Sequence, residues 1–251
     1  MDTNYSAQNG EIGVDMEPKS GIGSQIIGVF TSPVKAFEEY VKKPNWWLPL
    51  MLVIIGTIVF SVLAVKYNSQ LQYDIMKTSK SLPAQVLEQM RQGIDNPNYV
   101  GTVIGGVVMG LIPGLIAALL AWGVGTFIFG GQARFLSMWG VVMMGALITT
   151  LGNFLKIPLM IAKNTALVSI GPAALFPDKG PTSIFFLFLL FLDVFAIWVI
   201  IVTGIGYAKA LKISNGGGIT TSVIVTMILV FAFIGLQLIG MKFAGVETTW
   251  F

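Results

Sequence analysis

Few side chains in this sequence could do chemistry where it would matter. The most conspicuous is Asp193, inside the apolar run SIFFLFLLFLDVFAIWVIIVTGIGYA at 183–208. The run is long enough and apolar enough to cross a bilayer, and a charge at the bilayer centre costs at least ~2.5–3.5 kcal/mol, so the carboxyl needs a partner, a proton or water. Two polar residues on the preceding apolar segment, Asn153 and Lys156, lie at a depth from which they could supply one. If the two segments are antiparallel neighbours, Asp193 lies ~15 Å and Asn153 ~13 Å below the same surface at 1.5 Å per residue. Asn153 is the first candidate partner. Lys156 is the second, since its flexible stem could reach down instead of snorkelling up. Trp198, one turn beyond Asp193, is a further candidate, with lipid or core packing as its simpler role.

The chemistry open to such a set is narrow. The chain has no Cys and no His. That removes disulfides, zinc and iron–sulfur ligation, Ser-His-Asp triads and Cys nucleophiles together. An oxygen-ligand site for Mg or Ca needs several convergent acids, and an intramembrane aspartyl protease needs two. The apolar runs offer one. No catalytic residue, cofactor or metal is expected, and the chain does not read as an enzyme. A formal charge of +3, with lysines beside apolar runs, points to membrane-flanking charge and not to nucleic acid.

Composition explains what must position these residues. The chain is 251 residues long, 55% hydrophobic and 11% charged. A soluble domain carries roughly 25% charged residues, so the long apolar runs must face lipid or one another within it. The expected fold is all-α: a polytopic α-helical membrane protein with five transmembrane helices and short interfacial amphipathic helices. The spans are expected at about 46–65, 100–129, 136–159, 183–208 and 218–239. A polar tail is expected at 1–23, a five-span membrane domain at 24–240 and a short C-terminal tail at 241–251.

Several local signals refine this plan. Ser32 and Pro33 suit the start of a helix carrying Val34, Phe37, Tyr40 and Val41 on one face; it reads as a helix on the membrane surface. SLPAQVLEQMRQ, behind a Ser81 cap, reads as a second amphipathic helix. Gly106, Gly110, Gly114 and Ala118 fall at successive i+4 positions along the second span. This small-residue stripe allows close helix approach, so Gly110→Leu is expected to force backbones apart. The apolar segment 165–177 is too short to span and reads as an interfacial or partly re-entrant loop. Counting basic residues leaves the orientation open, although the short turns holding Arg134 and Lys209 with Lys212 favour a cytoplasmic N-terminus.

SPVKAFEEY followed by PNWWLPL, an outer-loop helix ending in LEQMRQ, GGQARF between the second and third spans, DVFAIW in the fourth and GIGYAKALKIS closing it occur in one order. With this set the chain resembles the Ypt/Rab-interacting protein family, the YIP family, in its bacterial form, over roughly 28–240. The resemblance implies five transmembrane helices, a cytoplasmic N-terminus, a far-side C-terminus and no known enzymatic chemistry. Eukaryotic members are tied to vesicle transport through small GTPases and to shaping of endomembranes; bacteria offer no such GTPases. The family often has a proline in the middle of span three, where this chain reads GALITTLG, with Pro158 the nearest.

Two functions follow as expectations. The first is a non-enzymatic scaffold, assembly or trafficking-like factor of the inner membrane, acting through helix contacts. The alternative is a small-solute or ion transporter or channel using Asp193, as an oligomer. The expected partners are the lipid bilayer and other membrane proteins or further copies of the chain, with no nucleic acid.

Overall fold

The structure, a computed structural model, describes residues 21–250 apart from the side chain of Ile22. Most of the polar tail at 1–23 lies outside the described residues, but its boundary moves: helix α1 (Ile22–Thr31) already begins there. The remaining helices are α2 (Pro33–Lys42), α3 (Trp47–Met76), α4 (Ala84–Asp95), α5 (Tyr99–Phe127), α6 (Phe135–Lys163), α7 (Ile184–Leu190), α8 (Val194–Leu211) and α9 (Asn215–Phe243), with a 3-10 turn at Pro172–Leu175. Five of them, α3, α5, α6, α8 and α9, are long and apolar enough to cross a membrane. No named strand occurs among the described residues, so the fold is all-helical.

The middle of the bundle is α6, the most buried of the five, with α3, α5 and α8 packed around it and α9 against α8 and α5. Its half nearer the N-terminal helices carries the core: Met138, Val141, Met143, Met144 and Ile148 are buried with Ala118 and Ala121 of α5 and Val202 and Leu211 of α8. The turn between α5 and α6 is tight. Gly130 has φ +68°, where a side chain would be strained, and the Trp122 indole donates to the Ala133 carbonyl at 3.0 Å. Proline is tolerated within α5 and α6, at Pro113 and Pro158, where both helices continue through it.

Further expectations change. First, α3 does not end near residue 65 but continues through the polar 66–76, beyond what ~30 Å of hydrocarbon needs. Second, α2 is not free on a surface. Pro33 opens it as expected, but Ser32 makes no side-chain cap bond, Val34 is exposed, and Ala36, Phe37 and Tyr40 are buried. Two glycines make room for the rings: a Cβ at Gly206 would lie 2.8 Å from Phe37, and one at Gly140 would lie 1.8 Å from the Tyr40 hydroxyl. That hydroxyl donates to the Ser137 carbonyl at 3.1 Å, and burial pushes its pKa up. On the rim of the same face Lys209 donates to Glu38 at 2.7 Å and holds that carboxyl below its ordinary range. Third, Pro83, and not Ser81, precedes α4; Ser81 instead donates to the Ala244 carbonyl at the end of α9.

The fourth span departs most. The stretch 183–208 is not one helix. It stops after Leu190 and restarts at Val194, with Asp193 as the N-cap of α8. The short α7 is tied down by the C-terminal tail, since the N–H groups of Ile184 and Phe185 donate to the carbonyls of Thr249 and Trp250 at 2.9 and 3.1 Å. The segment from 241 is therefore not a loose tail. It satisfies the donors that a helix N-terminus leaves open.

Candidate functional site

Asp193 does not sit midway along a continuous span; it heads one. Its Oδ1 accepts from the Ala196 N–H at 2.7 Å, and its carbonyl accepts from the Ile197 N–H at 3.1 Å. Asp is a strong N-cap, and an anion there also meets the positive end of the helix dipole. The other carboxylate oxygen, Oδ2, accepts from the Lys156 Nζ of α6. Both groups are largely withdrawn, with side-chain exposures of 8% for Asp193 and 21% for Lys156. One carboxylate thus ends a helix break and ties α8 to α6.

The chain packs closely around this pair. A Cβ at Gly171 would lie 2.5 Å from the Leu192 carbonyl oxygen and 2.9 Å from the Asp193 Cα, so the loop after α6 lies directly on the break. Gly152 of α6 meets the Phe195 ring in the same way, at 2.7 Å. Close packing at these two glycines sets the α6–α8 separation that lets Lys156 reach Asp193. The pair borders a cleft of about 340 Å³ that also touches Asn153, Phe195 and Thr226.

Asn153, the first candidate partner, makes no hydrogen bond among the described residues; Lys156, the second, takes the carboxylate. Asn153 lines the same cleft without taking part in the pair. Trp198 is not part of the pair. It stacks on Phe195 at 6.4 Å and meets Phe30 of α1 edge-on at 5.9 Å, which anchors the first helix to α8. Two polar contacts had no obvious signal in the sequence. Thr203 of α8 and Ser222 of α9 share a buried hydrogen bond of 2.8 Å, and Tyr40 bonds Ser137. Both join residues far apart in the chain by apposition of helices, which no local pattern encodes.

The small-residue stripe of α5 divides. Gly106 faces Ser61 of α3, Gly114 faces Met143 and Trp139 of α6, and Ala118 is fully buried. Gly110 faces open space, with nothing within 4 Å of where a Cβ would lie. The expectation that Gly110→Leu forces helices apart is therefore corrected: α5 crosses from α3 to α6 along this stripe, and Gly110 falls in the gap between the two contacts. Among the described residues there is no group of three His, Cys, Asp or Glu able to hold a metal.

Five apolar spans, a hairpin of α1 and α2 docked at one end and the broken fourth span make up a single membrane unit. The Yip1 domain family model matches residues 27–236 of it. The chain belongs to the Yip1 domain family. No curated protein and no solved structure matches it. The Yip1 domain match runs from within α1 to the last third of α9, so most of the α1–α2 hairpin, the GGQARF turn and the Lys156–Asp193 pair lie within it.

Proposed function

We propose that this Yip1 domain protein is a non-enzymatic scaffold or assembly factor, trafficking-like in its role, that works through contacts of its membrane-embedded helices. In this reading it resides in a bacterial cytoplasmic membrane, with its N-terminus in the cytoplasm and its C-terminus on the far side. The observation that carries the proposal is the closure of Asp193. Both of its oxygens are occupied, by Lys156 and by the α8 N-terminus, so the carboxylate acts as a structural tie. The face left for work is apolar. Ile104, Val108, Ile112, Leu115 and Leu119 of α5 are exposed at helical spacing, and α5 is the least buried of the five spans. In lipid such a face takes either acyl chains or the helix of another protein or second copy.

A second reading, transport of a small solute or ion, is favoured by the broken fourth span, because helix breaks at membrane depth often line substrate sites. Proteoliposomes loaded with ion- and pH-sensitive dyes separate the two. The scaffold reading expects no flux above that of empty vesicles; flux that disappears in Asp193→Asn would establish transport instead. Reporter fusions test the orientation. Fusions near Gln92 and Asp178 should read non-cytoplasmic and one near Ser214 cytoplasmic, and the opposite pattern would invert the topology.

A further inference from the structure

Between α3, α5 and α6 runs a groove of about 740 Å³, apart from the ion pair. Its walls are unusual for membrane depth. Thr57, Ser61, Thr149 and Asn153 line it at depth, with Asn68, Gln72 and Thr102 towards its polar end, and among the described residues their side chains make no hydrogen bond. Ser61 is the most telling of these. The residue is only 6% exposed, yet its hydroxyl has no partner and points at the bare Cα of Gly106, where a Cβ would lie 2.4 Å away. An unsatisfied polar group costs little at an aqueous surface, where water serves it. Against hydrocarbon it costs several kcal/mol, by the general estimate of ~4–8 for transfer to an alkane. Such groups, brought to the groove by α3 and α6, favour a polar occupant.

The groove's course says how that occupant enters. Asn68, Gln72 and Thr102 also line a mouth of about 400 Å³ beside Met90 and Gly93 of α4, so one end opens at the α4 surface. From Asn68 down to Val53 the groove follows α3 for ~22 Å at 1.5 Å per residue, well into the hydrocarbon layer. Its side is formed by Gly105, Met109 and Gly110 of α5, and nothing lies within 4 Å of a Cβ built at Gly105 or Gly110, so the groove is open there to the lipid. No Asp, Glu, Lys or Arg lines it. Lys156 and Asp193 border an adjoining cleft and pair with each other.

We infer that this groove binds an uncharged, hydroxyl-bearing lipid, of the chemical class of a diacylglycerol, with its hydroxyls among Ser61, Thr57 and Asn153. Its acyl part lies along Phe60 and Met109 and leaves through the Gly105–Gly110 side. The absence of charge in the walls argues against a phosphate or ammonium head, which would be desolvated without a counter-ion. The hydroxyl and amide lining supplies donors and acceptors for an uncharged one.

The test uses the full chain in nanodiscs with three photoactivatable probes carrying identical acyl chains: diacylglycerol, phosphatidylglycerol and phosphatidylcholine. Diacylglycerol should label peptides of α3, α5 and α6 about fivefold more than either phospholipid, the equivalent of one hydrogen bond of roughly 1 kcal/mol. Gly110→Leu places a side chain in the open groove and should reduce this labelling to the phospholipid level with an unchanged unfolding midpoint. Ser61→Ala, which removes the hydroxyl and no volume that packs elsewhere, should reduce it by about fivefold. Equal labelling by the three probes, preference for a charged head, or labelling indifferent to both substitutions would overturn the inference and leave ordinary lipid contact.

Discussion

Asp193→Ala should be the most destabilising single change at the centre of this protein. It strips the partner from a lysine that is four-fifths buried and removes the cap of α8. Breaking one side of a buried pair typically costs about 3–5 kcal/mol, because the remaining charge stays desolvated. The lost cap adds about 1 kcal/mol. Asp193→Asn separates the two contributions. Asn caps helices as well as Asp does, so this variant should keep the start of α8 and lose only the charge interaction. If the charge left on Lys156 is the main penalty, Lys156→Met should rescue Asp193→Asn, and the double variant should be more stable than the single one. Denaturation midpoints in mild detergent, with increasing SDS as denaturant, measure all four proteins. A single Asp193→Asn variant as stable as the parent would mean that the pair contributes nothing.

The second large effect is expected where α8 and α9 meet. A Cβ added at Gly218 would lie 2.3 Å from the Gly204 carbonyl oxygen and 2.7 Å from the Ala208 N, and one added at Gly204 would lie 2.7 Å from the Ile219 Cα. These neighbours are backbone, so no rotamer change relieves the contact and the helices must separate. Gly218→Ala should therefore reach the upper end of the roughly 1–3 kcal/mol that overpacking costs. Separation would also stretch the Thr203–Ser222 hydrogen bond, worth about 1 kcal/mol more. Gly235→Ala on the same α9 has nothing within 4 Å and should be neutral or stabilising by about 0.5–1 kcal/mol, the gain from a helix-interior Gly to Ala. The same midpoint measurement compares the two. Similar midpoints for Gly218→Ala and Gly235→Ala would mean that the α8–α9 approach is looser than described.

How far the fold could be read in advance follows from which forces act locally. Five spans are legible because bilayer thickness acts on each apolar run separately, and α5, α6 and α9 lie close to where hydropathy puts them. The overrun of α3 escapes the same reasoning, since its polar end at 66–76 stays helical for reasons unrelated to lipid. The break at Asp193 is harder still. LLFLDVFAIW contains no Gly or Pro, so hydropathy joins what the structure divides; the one available signal was Asp itself, a poor interior residue and a strong cap. The pairing with Lys156 required knowing how close α6 and α8 come, and Gly152 and Gly171 set that distance only once both helices exist. The small-residue stripe shows the same limit. Its spacing is visible in the sequence, but whether Gly110 meets a helix or a gap depends on the angle at which α5 crosses from α3 to α6.

The proposed function, work through helix contacts within the membrane, is most directly measured on the outward face of α5. A photo-crosslinking amino acid placed in turn at Ile112 and Leu119 of α5, and at the comparably exposed Ile55 of α3 as the control, would report what touches each face in native membranes. Discrete protein adducts, to a second copy or to one defined partner, are expected from Ile112 and Leu119, and only lipid adducts from Ile55. Lipid adducts alone from all three positions would contradict the proposed function.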